Sequence, residues 1–293
     1  MKSGIAFLTV VATVALLVQF EQPFGEETGG VALRAVTATA FWIGACIGLG
    51  GTLLKKGSTV EALAMGAGLY GLLLGILCLL FGVSGLLLTG AGVLGIGMLF
   101  RGADLHFSWP PKAILVLFSV FVLAATVDVL APPTDTDEIY QHLALPHQFL
   151  LEGEIGGGMM QPNAARPLPV HMLYTALYSL GGAAGPKLFH LVIVAFLLVA
   201  LWEIAERRIG KGAGLPASLL LLCSYSFLRE MGLAYNNLPT ALWCLLALDN
   251  ALGDKPKRMA LFCGMALAAK YTAAPVVAGI FLAWLFHKGL TAL

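Results

Sequence analysis

The sequence predicts an all-α polytopic membrane protein, a bundle of about ten spanning helices with one long outer loop that contains amphipathic helices. Of its 293 residues, 59% are hydrophobic and only 11% are charged, and the mean hydropathy is +0.88. Soluble domains are about 45–50% apolar and about 25% charged, and rarely expose large apolar patches. This composition excludes an ordinary soluble domain, a disordered chain, a disulfide scaffold and a nucleic-acid binder.

Ten apolar segments are long enough, or nearly long enough, to be read as spans of about 20 residues. They lie at 4–20, 31–54, 60–82, 84–100, 112–131, 188–205, 214–230, 237–252, 259–271 and 273–289. The chain divides into an N-terminal glycine-rich transmembrane block (1–105) and a second transmembrane part (106–293) that contains the outer loop 132–187. In the first part, Gly44 with Gly48 and Gly71 with Gly75 are spaced by four residues, a spacing that lets helices approach closely in lipid.

Charge placement predicts the orientation. With the N-terminus in the cytoplasm, most Lys and Arg residues fall in inward loops and most acids fall outside, as the positive-inside rule requires. We therefore expect a multi-pass protein of the inner (plasma) membrane, with the loop 132–187 on the outer side. The outward cations are exceptions: Arg34, Arg166, Lys187, Arg229 and Lys270. Of these, Arg229 is expected to pair locally with Glu230 at a helix end.

The outer loop opens on an acidic cluster. Asp135, Asp137 and Glu138 lie within four residues, directly after two prolines and a predicted span. Three interpretations stay open from the residues alone: a solvated loop, a general base or metal-binding carboxylate, and an ion-entry ring. Glu138 and His142 are spaced to pair on one helix face. Further along the loop, Val170–Leu180 is predicted to lie at the interface or to re-enter the membrane.

The run Pro-Pro-Thr-Asp-x-Asp-Glu-x-x-x-His-Leu-Ala-Leu-Pro at 132–146 resembles the first outer loop of GT-C-type glycosyltransferases. The following Leu-x-Glu-Gly-x-Ile at 150–155 continues the resemblance. Two later segments, 171–177 with 186–190 and the Lys-Tyr-Thr stretch within 264–273, are similar to segments of the same family. The likeness covers about 113–290 and implies a short or truncated GT-C member, a polytopic enzyme that uses a dolichyl- or polyprenyl-phosphate-sugar donor.

The resemblance implies roles for particular residues. Asp137 aligns with the family acid that would take the acceptor's proton, and Asp135 is the alternate. Glu138 and His142 would support it, or hold a divalent cation such as Mg²⁺ or Mn²⁺ together with the aspartates. Lys270, which interrupts an apolar stretch, would bind the donor phosphate or else extend to the interface. Arg166 is the second phosphate candidate.

The implied reaction transfers a sugar from the polyprenyl-phosphate carrier to a hydroxyl of a lipid, glycan or protein acceptor at the non-cytoplasmic face. The alternative is a non-catalytic polytopic protein, either a shortened relative that serves as an assembly partner or a transporter. Transport predicts polar residues facing each other at mid-span. The acids here gather at one membrane exit instead.

Overall fold

The structure, a computed structural model, describes residues 28–155 and 169–291. The described chain is all-α apart from one pair of three-residue strands. Its elements in order are α1 (Thr28–Leu54), β1 (Lys56–Ser58), α2 (Thr59–Phe81), α3 (Gly85–Leu99), β2 (Asp104–His106), α4 (Lys112–Leu130), a π-helical turn (Glu138–His142), α5 (Ala144–Glu152), α6 (Pro169–Gly181), α7 (Ala184–Arg208), α8 (Gly214–Leu222), α9 (Tyr225–Glu230), α10 (Asn237–Leu252), α11 (Pro256–Ala269), a 3₁₀ turn (Tyr271–Ala273) and α12 (Ala274–Thr291).

Five helical segments in this part of the chain are long and apolar enough to cross a membrane. They are Gly30–Leu54, Thr59–Phe81, Lys112–Leu130, Ala184–Arg208 and Tyr271–Gly289. The chain is thus a helical membrane protein, and the predicted count of about ten spans is not confirmed. The predicted span 4–20 lies outside the described residues.

The remaining four predicted spans are not among these five segments, because their helices are too short to cross a membrane. The segment 214–230 divides into α8 and α9 at Cys223–Ser224, while α3, α10 and α11 contain 15, 16 and 14 residues. At 1.5 Å per residue a 16-residue helix is about 24 Å long, less than the hydrocarbon thickness of about 30 Å. In 214–230, hydropathy detected the apolar run but not the break that interrupts it.

The helices run between two ends of the bundle. At one end, which we call the basic end, Arg207 of α7 bonds to Asp249 of α10, and Lys288 of α12 bonds to Asp254. At the other end, the site end, Lys187 of α7 caps the last turn of α4. The helices α10 and α11 thus connect the same two ends as the longer α7. The sequence-based orientation relative to a membrane stays a prediction.

Glycines allow α1, α2 and α3 to pack closely. A Cβ on Gly66 of α2 would lie 1.8 Å from the carbonyl oxygen of Cys46 in α1, and one on Gly48 would lie 2.0 Å from the carbonyl oxygen of Gly95 in α3. Only glycine permits such approaches. Of the predicted small-residue pairs, Gly48 and Gly71 make such contacts, whereas a Cβ on Gly75 would have an ordinary contact of 3.6 Å.

The segment predicted to be interfacial or re-entrant is a buried helix, and its position relative to a membrane stays a prediction. α6 contacts α1, α2, α5 and α7, and its residues from Pro169 to Leu177 are all buried. Its length of 13 residues is too short for a span, but neighbouring helices cover it on several sides. The predicted outer loop is therefore largely helical in the described part, with the π-helical turn and α5 before this helix.

Candidate active site

The acidic cluster lies at the C-terminal end of α4, which is fixed by a buried lysine. The ammonium group of Lys187 donates hydrogen bonds to the carbonyl oxygens of Asp128 at 2.6 Å and Ala131 at 2.9 Å. These are among the last carbonyls of a helix, which lack partners within the helix itself. The cap sets the direction in which the chain leaves α4, just before Asp135.

Asp135 is the most heavily hydrogen-bonded member of the cluster. Its Oδ1 accepts from the Tyr235 hydroxyl and, at 3.1 Å, from the backbone N–H of Asp137, while Oδ2 accepts from the Arg229 guanidinium. The Tyr235 hydrogen bond and the Arg229 charge hold the pKa of this carboxyl below its ordinary value, against the opposing effect of desolvation. Asp135 is therefore a stable anion that holds two side chains from the α9–α10 region.

Tyr235 connects the acidic cluster to the core. Its backbone carbonyl accepts a hydrogen bond of 2.7 Å from the buried Tyr174 hydroxyl, and its ring lies 5.0 Å from that of His142. Burial and the neighbouring Asp135 carboxylate raise the pKa of its phenol, so that the hydroxyl stays protonated and able to donate.

Asp137 has a different environment from Asp135. Its side chain is exposed, and it forms no hydrogen bond or ion pair with any described residue. It lies near enough to Tyr235 for its charge to act on the phenol. Of the two predicted aspartates, Asp135 is bonded to neighbours on both oxygens and Asp137 is open to solvent.

Glu138 is fully buried rather than part of the exposed cluster. It begins the π-helical turn, and its Oε1 accepts a hydrogen bond of 2.8 Å from the backbone N–H of Ala234. Its Oε2 has no hydrogen-bond partner among the described residues. Burial raises the pKa of this carboxyl. Because Ala234 precedes Tyr235, Glu138 holds the backbone that presents the Tyr235 hydroxyl to Asp135.

His142 forms a buried pair with His171 of α6. The Nδ1 of His142 lies 2.9 Å from Nε2 of His171, and the two rings are parallel within 3°. Burial lowers the pKa of His142 to about 2 and that of His171 to about 4. One nitrogen of the pair donates and the other accepts, and the lowered pKa values favour the neutral form of both rings at physiological pH. The predicted pairing of Glu138 with His142 is not formed in the structure.

Lys270 reaches the same end of the bundle from the other side. It lies in extended backbone between α11 and the 3₁₀ turn, and its ammonium group donates to Oδ1 of Asn237. The amide of Asn237 donates in turn to Glu230 at 2.8 Å. The charges of Lys270, Arg229 and Asp135 all act on the Glu230 carboxyl, whose pKa burial raises. These five side chains thus form one electrostatic cluster.

The carboxylates do not fit a divalent cation. Such an ion prefers several oxygen ligands directed at one point. Both oxygens of Asp135 are engaged by protein donors, Glu138 is buried away from the exposed Asp137, and no three His, Cys, Asp or Glu side chains among the described residues are grouped to hold a metal. The Mg²⁺ or Mn²⁺ implied by the resemblance is therefore not assigned ligands here.

Sequence reasoning found part of this cluster and missed part of it. The structure brings together Asp135, His142 and Lys270 at one end of the bundle, whereas Arg166 lies outside the described residues. The predicted local pair of Arg229 with Glu230 is wrong, since Arg229 bonds Asp135 instead. Tyr235 was missed, although the polar run Tyr235–Asn237 between two apolar segments on the outward side was a usable signal.

The fold and this cluster define the chain as a helical membrane protein with polar and charged side chains gathered at the site end. Comparisons with protein-family models, with curated proteins and with solved structures found no match to this chain. Function is therefore inferred from the geometry of the site and from the resemblance of the acidic motif.

Proposed function

We propose that the chain is a membrane-embedded glycosyltransferase of the GT-C type, which moves a sugar from a polyprenyl-phosphate carrier to an acceptor hydroxyl. The observation that supports this best is the cluster of Asp135, Arg229, Tyr235 and Lys270, which lies beside the ends of two apolar helices that the described chain leaves largely unburied. Only 22% of the apolar window of α4 and 11% of that of the Tyr271–Gly289 segment are buried, against 56% for the other three candidate spans. A lipid-linked donor could approach such a cluster from the bilayer.

Asp137 is the proposed base. Asp135 is a poor proton acceptor, because its low pKa and three donors stabilise the anion. Asp137 is two residues away and its carboxylate is not bonded to a described residue. As the acceptor oxygen bonds to C1 of the sugar, its proton passes to Asp137. The bond between C1 and the carrier phosphate breaks, and its electron pair leaves with the phosphate oxygen.

Arg229 and Lys270 are the proposed phosphate-binding cations. The Arg229 side chain is 56% exposed and offers five N–H donors, of which the Asp135 contact uses one. Lys270 adds a second positive charge to the same cluster, to which its hydrogen bond to Asn237 joins it. Cations preorganised by hydrogen bonds stabilise the charge that develops on a leaving phosphate. The acceptor would be a lipid, glycan or protein hydroxyl.

Transfer of labelled sugar in reconstituted membranes tests this proposal. The purified full chain is given a set of polyprenyl-phosphate sugars and acceptors, and Asp137→Asn is compared with wild type. Loss of a general base lowers the rate by about 10²–10⁴-fold. The matched control is Glu154→Gln, an exposed acid-to-amide change in the same loop.

The expected result is transfer by wild type and by the Glu154→Gln control, with loss in Asp137→Asn at equal membrane abundance. If Asp137→Asn and Asp135→Asn both match wild type, the proposal is wrong. The non-catalytic interpretation, a shortened relative that acts as an assembly partner, would then describe the chain better.

We also propose that the site end faces the non-cytoplasmic side of the inner (plasma) membrane. The support is the gathering of Lys and Arg residues at the basic end, as the positive-inside rule expects for the cytoplasmic side. In a cysteine-free background, Thr136→Cys should react with an impermeant maleimide in intact cells. Lys257→Cys should react only after lysis. The reverse pattern would invert the topology and contradict the proposal.

A further inference from the structure

Two cavities lie at the basic end, away from the proposed active site. The larger has a volume of about 940 Å³ and lies between the strand pair and the ends of α7 and α10. The smaller, of about 370 Å³, lies where α1 and α3 end. Both are lined by cations, but acids line only the larger one.

The arginines of the larger cavity are bonded to acids of neighbouring helices. Arg207 and Arg208 both bond to Asp249, at 2.7 and 2.9 Å, and Arg258 bonds to Glu61 at 3.3 Å. Partly buried pairs of this kind hold the helix ends together. The three arginines of the larger cavity therefore have a role in the fold itself, which is to bond the helix ends together. The larger cavity as a whole is lined by five Lys and Arg residues and four acids, so that it offers little net charge to a ligand.

The smaller cavity has no such neutralisation. Its lining consists of Gly51, Thr52, Lys55, Arg101, Gly102 and Ala103, which include two cations and no acid. Neither the Lys55 nor the Arg101 side chain has a hydrogen bond or ion pair with any residue that the structure describes. The one acid of the strand pair, Asp104, lines the larger cavity. We call the smaller one the Lys55–Arg101 cavity.

Two carbonyls at the helix ends beside this cavity already have backbone donors. The backbone N–H of Lys55 donates to the carbonyl of Gly51 at 2.8 Å, and that of Arg101 donates to Met98 at 3.1 Å. These bonds satisfy carbonyls of the last turns of α1 and α3 through the backbone. The ammonium and guanidinium groups are therefore not needed as caps for those carbonyls.

Exposed apolar side chains flank the two cations. Leu53 in the last turn of α1 is 57% exposed, and Phe100 directly before Arg101 is 63% exposed. α1 is a candidate span and α3 is an apolar helix of 15 residues, so that these side chains belong to surfaces suited to lipid. A cationic cavity beside an apolar surface matches a molecule with an anionic head and an apolar tail.

We propose that the Lys55–Arg101 cavity binds the phosphate-bearing headgroup of an anionic phospholipid. A guanidinium can donate two parallel hydrogen bonds to phosphate oxygens, and an ammonium adds a point charge. Basic pockets between membrane helices are suited to such headgroups. This site is separate from the proposed transfer site and does not depend on it.

Native mass spectrometry of the full chain in a neutral detergent tests the proposal. The protein is titrated with phosphatidylglycerol, with zwitterionic phosphatidylcholine, and with glycerol 3-phosphate as the soluble source of the same phosphate chemistry. We expect binding of phosphatidylglycerol in preference to the other two. Neutralising either cation, as Lys55→Gln or Arg101→Gln, should weaken that binding about fivefold, and neutralising both about 25-fold.

Two controls separate this site from general surface charge. The charge-matched pair Lys56→Gln with Lys257→Gln lies outside the cavity and should leave the affinity unchanged. The charge-keeping pair Lys55→Arg with Arg101→Lys should retain binding. Equal binding of both phospholipids, or equal loss in the charge-matched control, would overturn the proposal. Tight binding of glycerol 3-phosphate would show a soluble-phosphate site and overturn the lipid assignment. Because the readout is binding, loss of sugar transfer alone would leave this result unaffected.

Discussion

Replacement of Glu138 tests how the buried carboxyl holds the site. Its Oε1 accepts from the Ala234 N–H at 2.8 Å, and its side chain is 0% exposed. In Glu138→Ala the N–H loses its acceptor, at a cost of about 1–3 kcal/mol. Loss of the buried side chain beyond Cβ adds about 1–2 kcal/mol. We therefore expect a loss of about 2–5 kcal/mol in the free energy of unfolding.

The matched variant is Glu138→Gln, which keeps an acceptor oxygen and nearly the same shape. We expect it to cost about 1 kcal/mol or less, because the carboxyl has a raised pKa and pairs with no cation at hydrogen-bond distance. The assay is unfolding of purified protein in mixed micelles with increasing SDS. The rate of sugar transfer should fall in the same variant that loses stability. In Glu138→Ala the backbone at Ala234 moves and displaces Tyr235, and a displacement of about 1 Å can lower the rate about 100-fold.

Two outcomes would refute this reasoning. If Glu138→Gln destabilises the protein as much as Glu138→Ala does, the negative charge matters rather than the acceptor. If Glu138→Ala is as stable as wild type, the hydrogen bond to Ala234 contributes nothing and the site is held in another way.

Three further predictions concern the site and the packing. Tyr235→Phe removes a donor to Asp135, so transfer should fall about 10–100-fold. The pKa of Asp135 should rise in this variant. The stabilisation that the Asp135 anion gives the folded protein is present above the ordinary pKa of 3.8 and is lost on acidification, and in the variant it should be lost at a higher pH than in wild type. His171 has a pKa near 4 in the folded protein and 6.5 in the unfolded chain, so the unfolded chain binds more protons between these two values. The free energy of unfolding should therefore fall as the pH is lowered from 6.5 to 4, and it should fall less steeply in His171→Gln. An unchanged slope in His171→Gln would contradict this. Gly66→Ala places a Cβ 1.8 Å from a carbonyl oxygen of α1 and should lower the free energy of unfolding in SDS by about 1–3 kcal/mol or more. A Cβ on the control Gly97→Ala would have nothing within 4 Å, so this variant should not destabilise the protein. Equal effects of the two changes would refute close packing at Gly66.

Composition and hydropathy predicted the membrane class and located most helices, because burial in lipid imposes long apolar runs. They could not predict where such runs break. The division of 214–230 at Cys223–Ser224 was not predicted, because no proline or charged residue interrupts the apolar run there. The strand pair of Lys56–Ser58 with Asp104–His106 was not predicted either, since three-residue strands carry little pattern.

The position of the acids after a span was readable from the sequence, but their partners were not. Asp135 and Tyr235 are 100 residues apart, and His142 and His171 are 29 apart. Such contacts are determined by packing of α6 and α10, which a local pattern does not encode. The same limit explains why Glu138, three residues from Asp135, was grouped with the exposed acids although the π-helical turn directs it into the core.

The central claim is that the site end transfers a sugar. The most direct measurement is a single turnover with excess protein, in which the sugar gained by the acceptor and the carrier phosphate released are both counted. If the site end transfers the sugar, the two appear in equal amounts and at the same rate, and Asp137→Asn slows both together. Carrier phosphate released without sugar in the acceptor, or no turnover with any polyprenyl-phosphate sugar, would contradict it.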